Sequence, residues 1–177
     1  MMDVQVALSQ ADILNVTGRL HLTPKAVRAA AMRAIRKSAR SIQAESARKL
    51  SAELRLQQKL VRARLRLYRK GEGLQQKVWL GLNAMAAARL GAVRKVRGGT
   101  RAGRYFFKDA FPIDQYGGGL YRRTGKERFP LELVKLEIEE AGRAAVEQAA
   151  ERGEERFLHF LRQEIRYELL KLTGKLK

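Results

Sequence analysis

The stretch YRRTGKERFPLELVKLEI, Tyr121–Ile138, decides how the chain is read. It sets a Gly-Lys pair among arginines, so two readings compete: a phosphate-binding loop, or the tip of a β-hairpin. A phosphate loop needs a glycine five residues ahead of the pair and a Ser or Thr after the lysine. Leu120 and Glu127 hold those places. Such a loop also opens a helix whose amide groups face the phosphate. Here Pro130 follows instead, and Val134, Leu136 and Ile138 recur at every second residue, the period of a strand. Gly119–Arg123 and Arg128–Ile138 are therefore expected to form a hairpin, and nucleotide hydrolysis at Gly125-Lys126 is excluded.

Beyond the hairpin, from Glu139 onward, Val146, Ala149, Gly153, Phe157, Leu161, Ile165, Leu169 and Leu172 fall on one face of a long C-terminal helix, with Gly153 as its soft spot. Working back from the hairpin, QYGGG (Gln115–Gly119) is a turn and YFFKDAFPI (Tyr105–Ile113) has strand character. Residues 89–104, RLGAVRKVRGGTRAGR, hold six basic residues and four glycines and read as a mobile basic loop joining two strands. QQKVWLGL (Gln75–Leu82) reads as a strand containing Trp79, and Gly71 and Gly73 precede it.

Upstream of Gly71 the pattern is helical. Thr23-Pro24 is a hydroxyl cap followed by proline at the first helical position. No Gly or Pro follows between Lys25 and Lys70, and Val27, Ala31, Ile35, Ser38, Ile42, Ser46, Leu50 and Leu54 mark one helix face. Arg28, Arg33, Arg36, Lys37, Arg40, Arg48 and Lys49 occupy the others. A helix from 24 to about 54 would run roughly 45 Å at 1.5 Å per residue. In VRARLRLYRK (Val61–Lys70) apolar residues alternate with Arg62, Arg64 and Arg66. The alternation suits a strand with one guanidinium face, and a continued helix competes with it, since Leu, Arg and Ala are all good helix formers. Ser9-Gln10-Ala11-Asp12 before Ile13, Leu14 and Val16 predicts a short first helix ended by Gly18. The expected fold is α+β: a long N-terminal amphipathic helix, a small antiparallel β-sheet and a long C-terminal helix. One domain over 1–177 is expected, with a basic helical part (1–70), a β part carrying the basic Gly-rich loop (71–138) and the C-terminal helix (139–177).

The charge is unevenly placed. Of the net +19, residues 1–70 hold 16 basic and 4 acidic side chains, residues 71–130 hold 12 and 4, and residues 131–177 hold 9 and 10. A chain this self-repelling calls for an anionic partner facing its first two thirds. Two surfaces suit phosphates or acidic groups: the Arg62, Arg64, Arg66 face, and the loop through Arg94, Lys95, Arg97, Arg101 and Arg104. Tyr105, Phe106 and Phe107 could stack on bases, although filling the core explains them more simply. No helix-turn-helix, zinc-finger or ribonucleoprotein signature is present, which argues against sequence-specific recognition.

Enzymatic chemistry finds no footing. The chain has no cysteine and only two histidines, His21 and His159, far apart in sequence, so no metal ligand set is expected. No cofactor is expected either. Glu137, Glu139, Glu140, Glu151, Glu154 and Glu155 sit in or beside a highly charged helix, where solvated faces and ion pairs account for them. MMDVQVALSQ is not a signal peptide, and the longest apolar run, Ala84–Ala88, is far too short for a bilayer. A soluble intracellular protein without membrane contact is expected.

Taken together, these segments resemble the minor tail protein Z family, the tail-completion proteins of lambda-like phages and prophages. RAAAMRAIRKSARSIQAESARKLSAE (Arg28–Glu53) is similar to the family's small-residue N-terminal helix, and QKLVRARLRL (Gln58–Leu67) to the basic segment after it. KVWLGLNAMAAARLG (Lys77–Gly91) has the same flavour. GKERFPLELVKLEI resembles the family's aromatic-proline strand, whose signature falls on Gly125, Lys126, Arg128, Phe129, Pro130, Val134 and Lys135. The chain departs from that pattern at 94–104, where glycines interrupt the basic run. The resemblance implies a virion protein of the tail and neck, assembled in the host cytoplasm, with no catalysis. It implies a homo-oligomeric ring, a hexamer, at the head-proximal end of the tail, which enables head–tail joining and DNA passage. The implied partners are the tail terminator or tail tube protein, the head–tail connector protein, and phage DNA in non-specific contact. The alternative reading is a free, sequence-nonspecific nucleic-acid-binding protein.

Overall fold

The computed structural model describes residues 2–7, 9, 11, 14, 15, 22–70 and 74–174. The expected stop at Gly18 and most of the short first helix lie outside these residues; Ala11, Leu14 and Asn15 are helical. Thr23 caps α1 (Pro24–Glu53) as its sequence predicts, accepting a hydrogen bond from the Ala26 amide at 3.2 Å, with Pro24 at the first helical position. The 30-residue α1 buries Val27, Ala31, Ile35, Ser38, Ile42, Ser46 and Leu50, the face read from the spacing. Between these lie Ala30, Ala34, Ala39 and Ala47, fully buried small residues that let neighbouring elements approach closely.

The segment left open between strand and helix is both in turn. It forms a short helix, α2 (Gln58–Arg62), then turns at Ala63-Arg64 into strand β2 (Leu65–Lys70). β2 pairs antiparallel with β3 (Gln75–Leu80), and β3 pairs on its other side with β1 (Met2–Ala7). The β1 strand has no counterpart in the sequence reading. Its exposed and half-buried residues alternate, the pattern of a sheet with one covered face.

The β part is not one small sheet. Besides the β1–β3–β2 sheet, β4 (Met85–Ala86) pairs with β11 (Lys135–Leu136). β5 (Val93–Val96), β6 (Gly99–Ala102) and β7 (Tyr105–Lys108) make an antiparallel meander. β8 (Ala110–Ile113), β9 (Gly119–Arg123) and β10 (Leu131–Leu133) make a third three-stranded sheet. The expected mobile loop at 89–104 is thus corrected. Val93–Ala102 is a β-hairpin with a two-residue turn at Arg97-Gly98, where Gly98 takes φ +82°. Glycine also lets strands close up here: a Cβ on Gly99 would stand 2.1 Å from the Phe107 carbonyl oxygen.

The C-terminal helix is also corrected. It is two helices, α3 (Glu139–Ala150) and α4 (Gly153–Leu172), broken at Glu151-Arg152, immediately before the predicted soft spot at Gly153. The long α1 lies against α3, α4 and the β1–β3–β2 sheet. The main core joins Ile42, Ala47 and Leu50 of α1 to Val78 and Leu80 of β3, Leu120 of β9, and Ala145, Val146 and Ala149 of α3.

Candidate functional site

The quoted hairpin forms, but its second arm is shorter than expected: only Leu131–Leu133 pairs with β9, and the rest of Arg128–Ile138 does not continue that strand. Leu131 lies opposite Arg123 and Leu133 opposite Tyr121, and Gly125, Lys126 and Arg128 sit exposed in its turn. No helix follows the Gly-Lys pair, as the strand reading requires. Val134 is the seam of the motif. Its amide donates to the Leu120 carbonyl at 2.8 Å, and its carbonyl accepts from the Ala87 amide at 2.9 Å. The chain thereby leaves the β9 edge and joins β4 at Lys135, opposite Ala86. At the tip Arg128 lies over the exposed ring of Phe129, with its guanidinium carbon 5.7 Å from the ring centre, and Arg123 lies over Phe111 at 5.8 Å. The Phe129–Pro130 peptide is cis.

The profile of one family, prophage minor tail protein Z (GPZ), matches residues 18–175 of this chain. The chain belongs to the prophage minor tail protein Z family. No curated protein and no solved structure shows significant similarity to it. It is accordingly a structural part of a phage tail, and it interacts with other tail or head components.

The two basic surfaces of this minor tail protein Z chain differ from the sequence reading. Arg62, Arg64 and Arg66 do not share one strand face, because Arg62 ends α2 and Arg64 precedes β2. Arg62 and Arg66 are exposed, but Arg64 turns inward to donate to the carbonyls of Gly81 (3.4 Å), Asn83 and Ala84 (3.5 Å). Burial, and then the nearby Arg89, push the Arg64 pKa below its ordinary value. Arg64 clamps the loop after β3 rather than facing a partner.

Nor do Arg94, Lys95, Arg97, Arg101 and Arg104 form one loop surface. In the meander Arg94 stands opposite Arg101, and Arg101 opposite Phe106, so these three make a row across one face. Lys95, Thr100 and Phe107 make the next row, on the reverse face. That face is the inward one: Thr100 and Ala102 are fully buried, and Tyr105 and Phe107 pack on the core. The Tyr105 hydroxyl donates to the Leu54 carbonyl at 2.6 Å. Arg97 lies in the β5–β6 turn, and Arg104, in the β6–β7 turn, faces Arg55 and Leu56 beyond the end of α1. Among the described residues none forms an ion pair with Arg94, Lys95, Arg97, Arg101 or Arg104.

One group in this tail protein escaped the sequence reading. Glu164 and Glu168 of α4 are only 5% and 7% exposed, yet both are charged partners of Arg33 on α1. Lys37 reaches Glu164 from the next turn of α1. Burial alone would lower the Arg33 pKa and raise that of Glu164. Hydrogen bonds and charge attraction together outweigh it, from Glu164 and Glu168 on Arg33 and from Lys37 and Arg33 on Glu164, so Arg33 is raised and Glu164 lowered. Arg156 likewise joins α4 to Glu45 of α1. The available signal was spacing: Arg33 and Lys37 are four residues apart, as are Glu164 and Glu168, so each pair shares one helix face. These groups fasten helices together. Among the described residues, no group of three or more His, Asp or Glu could hold a metal, and no helix is long and apolar enough to cross a membrane.

Proposed function

We propose that this protein completes the head-proximal end of the tail as a homo-oligomeric ring, a hexamer, around the DNA path. In this reading it enables tail-to-head joining and DNA passage, and it resides in the neck of the virion after assembly in the host cytoplasm. Its neighbours are the tail terminator or tail tube protein on one side and the head–tail connector protein on the other. A ring needs two different complementary faces on each subunit. The observation that carries the reading is how the cations divide. Arg33, Lys37 and Arg156 are neutralised within the fold, whereas Arg94, Arg97 and Arg101 stand exposed on the meander. Side chains of the second kind suit non-specific contact with the DNA backbone.

The test is to induce the parent element, purify its particles and count this protein against known tail proteins by mass spectrometry. A small fixed copy number, with particles of an Arg94→Glu/Arg101→Glu variant failing at head–tail joining or DNA delivery, supports the reading. Absence from particles, with the protein recovered on cellular nucleic acid, overturns it in favour of a free nucleic-acid binder.

A further inference from the structure

The outer face of the meander carries a combination that duplex DNA does not require. Arg94, Arg101 and Phe106 form one transverse row, and the same face carries Val96 and Lys108, two residues further along their strands. Adjacent strands lie about 4.8 Å apart, so the row is about 10 Å long. Arg97 closes one end of the face from the turn. Arg94, Val96, Arg97, Arg101 and Phe106 together line a shallow concavity of about 560 Å³. Phe106 is 50% exposed, although its sequence neighbours Tyr105 and Phe107 both pack on the core. Folding does not need an aromatic ring at this place.

We propose that this face binds single-stranded DNA, with an unpaired base stacked on Phe106 and the flanking phosphates held by Arg94, Arg97 and Arg101. Cations alone would suit any polyanion, because phosphate contacts carry no preference for strand state or sequence. The exposed ring makes the difference. A base offers a flat π-face only when it is unpaired and unstacked, and a glutamate-rich peptide offers none. A sheet with an outward aromatic ring between arginines is a stacking platform bordered by phosphate sites. Thr100 supports it from below: it is fully buried and donates to the Ala110 carbonyl at 2.6 Å, fastening β6 to the neighbouring strand.

The proposal rests on the ring reading only in placing DNA within reach, and the two fail separately. Copy number in particles tests the ring; oligonucleotide binding by the purified full-length chain tests the platform. Fluorescence anisotropy would compare a twelve-residue oligothymidylate with a hairpin duplex of equal charge, each at several salt concentrations, with poly-glutamate as competitor. With Phe106→Ala, affinity for the single strand should fall about 5- to 100-fold while duplex affinity changes less than about twofold. Phe106→Trp should retain single-strand binding, which keeps the test decisive if the alanine variant misfolds by circular dichroism. Arg94→Ala/Arg101→Ala should weaken both ligands and lower the salt slope by about one to two. Equal loss of single strand and duplex on Phe106→Ala overturns the proposal, as does no loss of either. So does displacement by poly-glutamate as effective as by the oligothymidylate.

Discussion

Arg33 receives two carboxylates from α4, and Glu164 receives two cations from α1, so neither charge is carried alone into the helix interface. Glu164 has its folded pKa lowered below the usual 4.5. Its stabilisation is therefore complete above that value and is lost as pH falls through the lower, folded one. Thermal melts from pH 7 to pH 3 should show this loss, and Glu164→Gln should flatten it. At pH 7 the substitution should cost about 1–2 kcal/mol, less than for a fully buried pair, because water still reaches Arg33 and Lys37. Ser38 and Ser46 present the opposite case. Both hydroxyls are buried in the face of α1 and have no hydrogen-bond partner among the described residues. Ser38→Ala and Ser46→Ala should each leave stability unchanged or raise it by up to about 1 kcal/mol, read from urea midpoints. A clear loss in either would mean that the hydroxyl is satisfied in solution. Little of this residue-level pairing was legible in advance, since partners over a hundred positions apart meet only after the helices pack.

Among the elements, legibility followed the reach of the forces involved. The start of α1 is set within four residues by Thr23 and Pro24, and its buried face by spacing, so both could be read locally. The β9–β10 hairpin was equally local, whereas the departure of the chain to β4 after Val134 was not. The basic run at 89–104 was misread because its glycines suggest freedom, whereas Gly98 serves a tight turn and Gly99 a close approach between strands. Gly99→Ala tests that account. Its Cβ would collide with a backbone carbonyl, which cannot rotate aside as a side chain can, so the β6–β7 ladder must open. A loss of at least about 2 kcal/mol is expected, with amide exchange rising first across Tyr105–Lys108. An unchanged melt would return the segment to a loop. The candidate site was legible as a list of basic residues but not as a surface. Only the strand register shows that Arg94 and Arg101 share a face with Phe106 and that Lys95 lies on the reverse.

For the whole molecule, a net charge of +19 sets self-repulsion against the few ion pairs within the fold. Raising ionic strength from 0.1 to 1 M shortens the screening distance from about 10 to about 3 Å, which weakens repulsion across the surface more than contacts at an interface. The melting temperature should therefore rise with sodium chloride, by about 2–4 °C for each kcal/mol of repulsion removed. A fall would show that the α1–α4 ion pairs dominate instead. The pairing of β1 with β3 has a consequence in time as well as in space. Met2–Ala7 precedes its partner Gln75–Leu80 in the chain, with α1, α2 and β2 all lying between them. Such a distant closure is entropically costly and slow, so α1 can form while the strand ahead of it is still unattached. During synthesis β1 waits for the ribosome to release β3, and it acts as a clasp, holding shut a loop that is already folded.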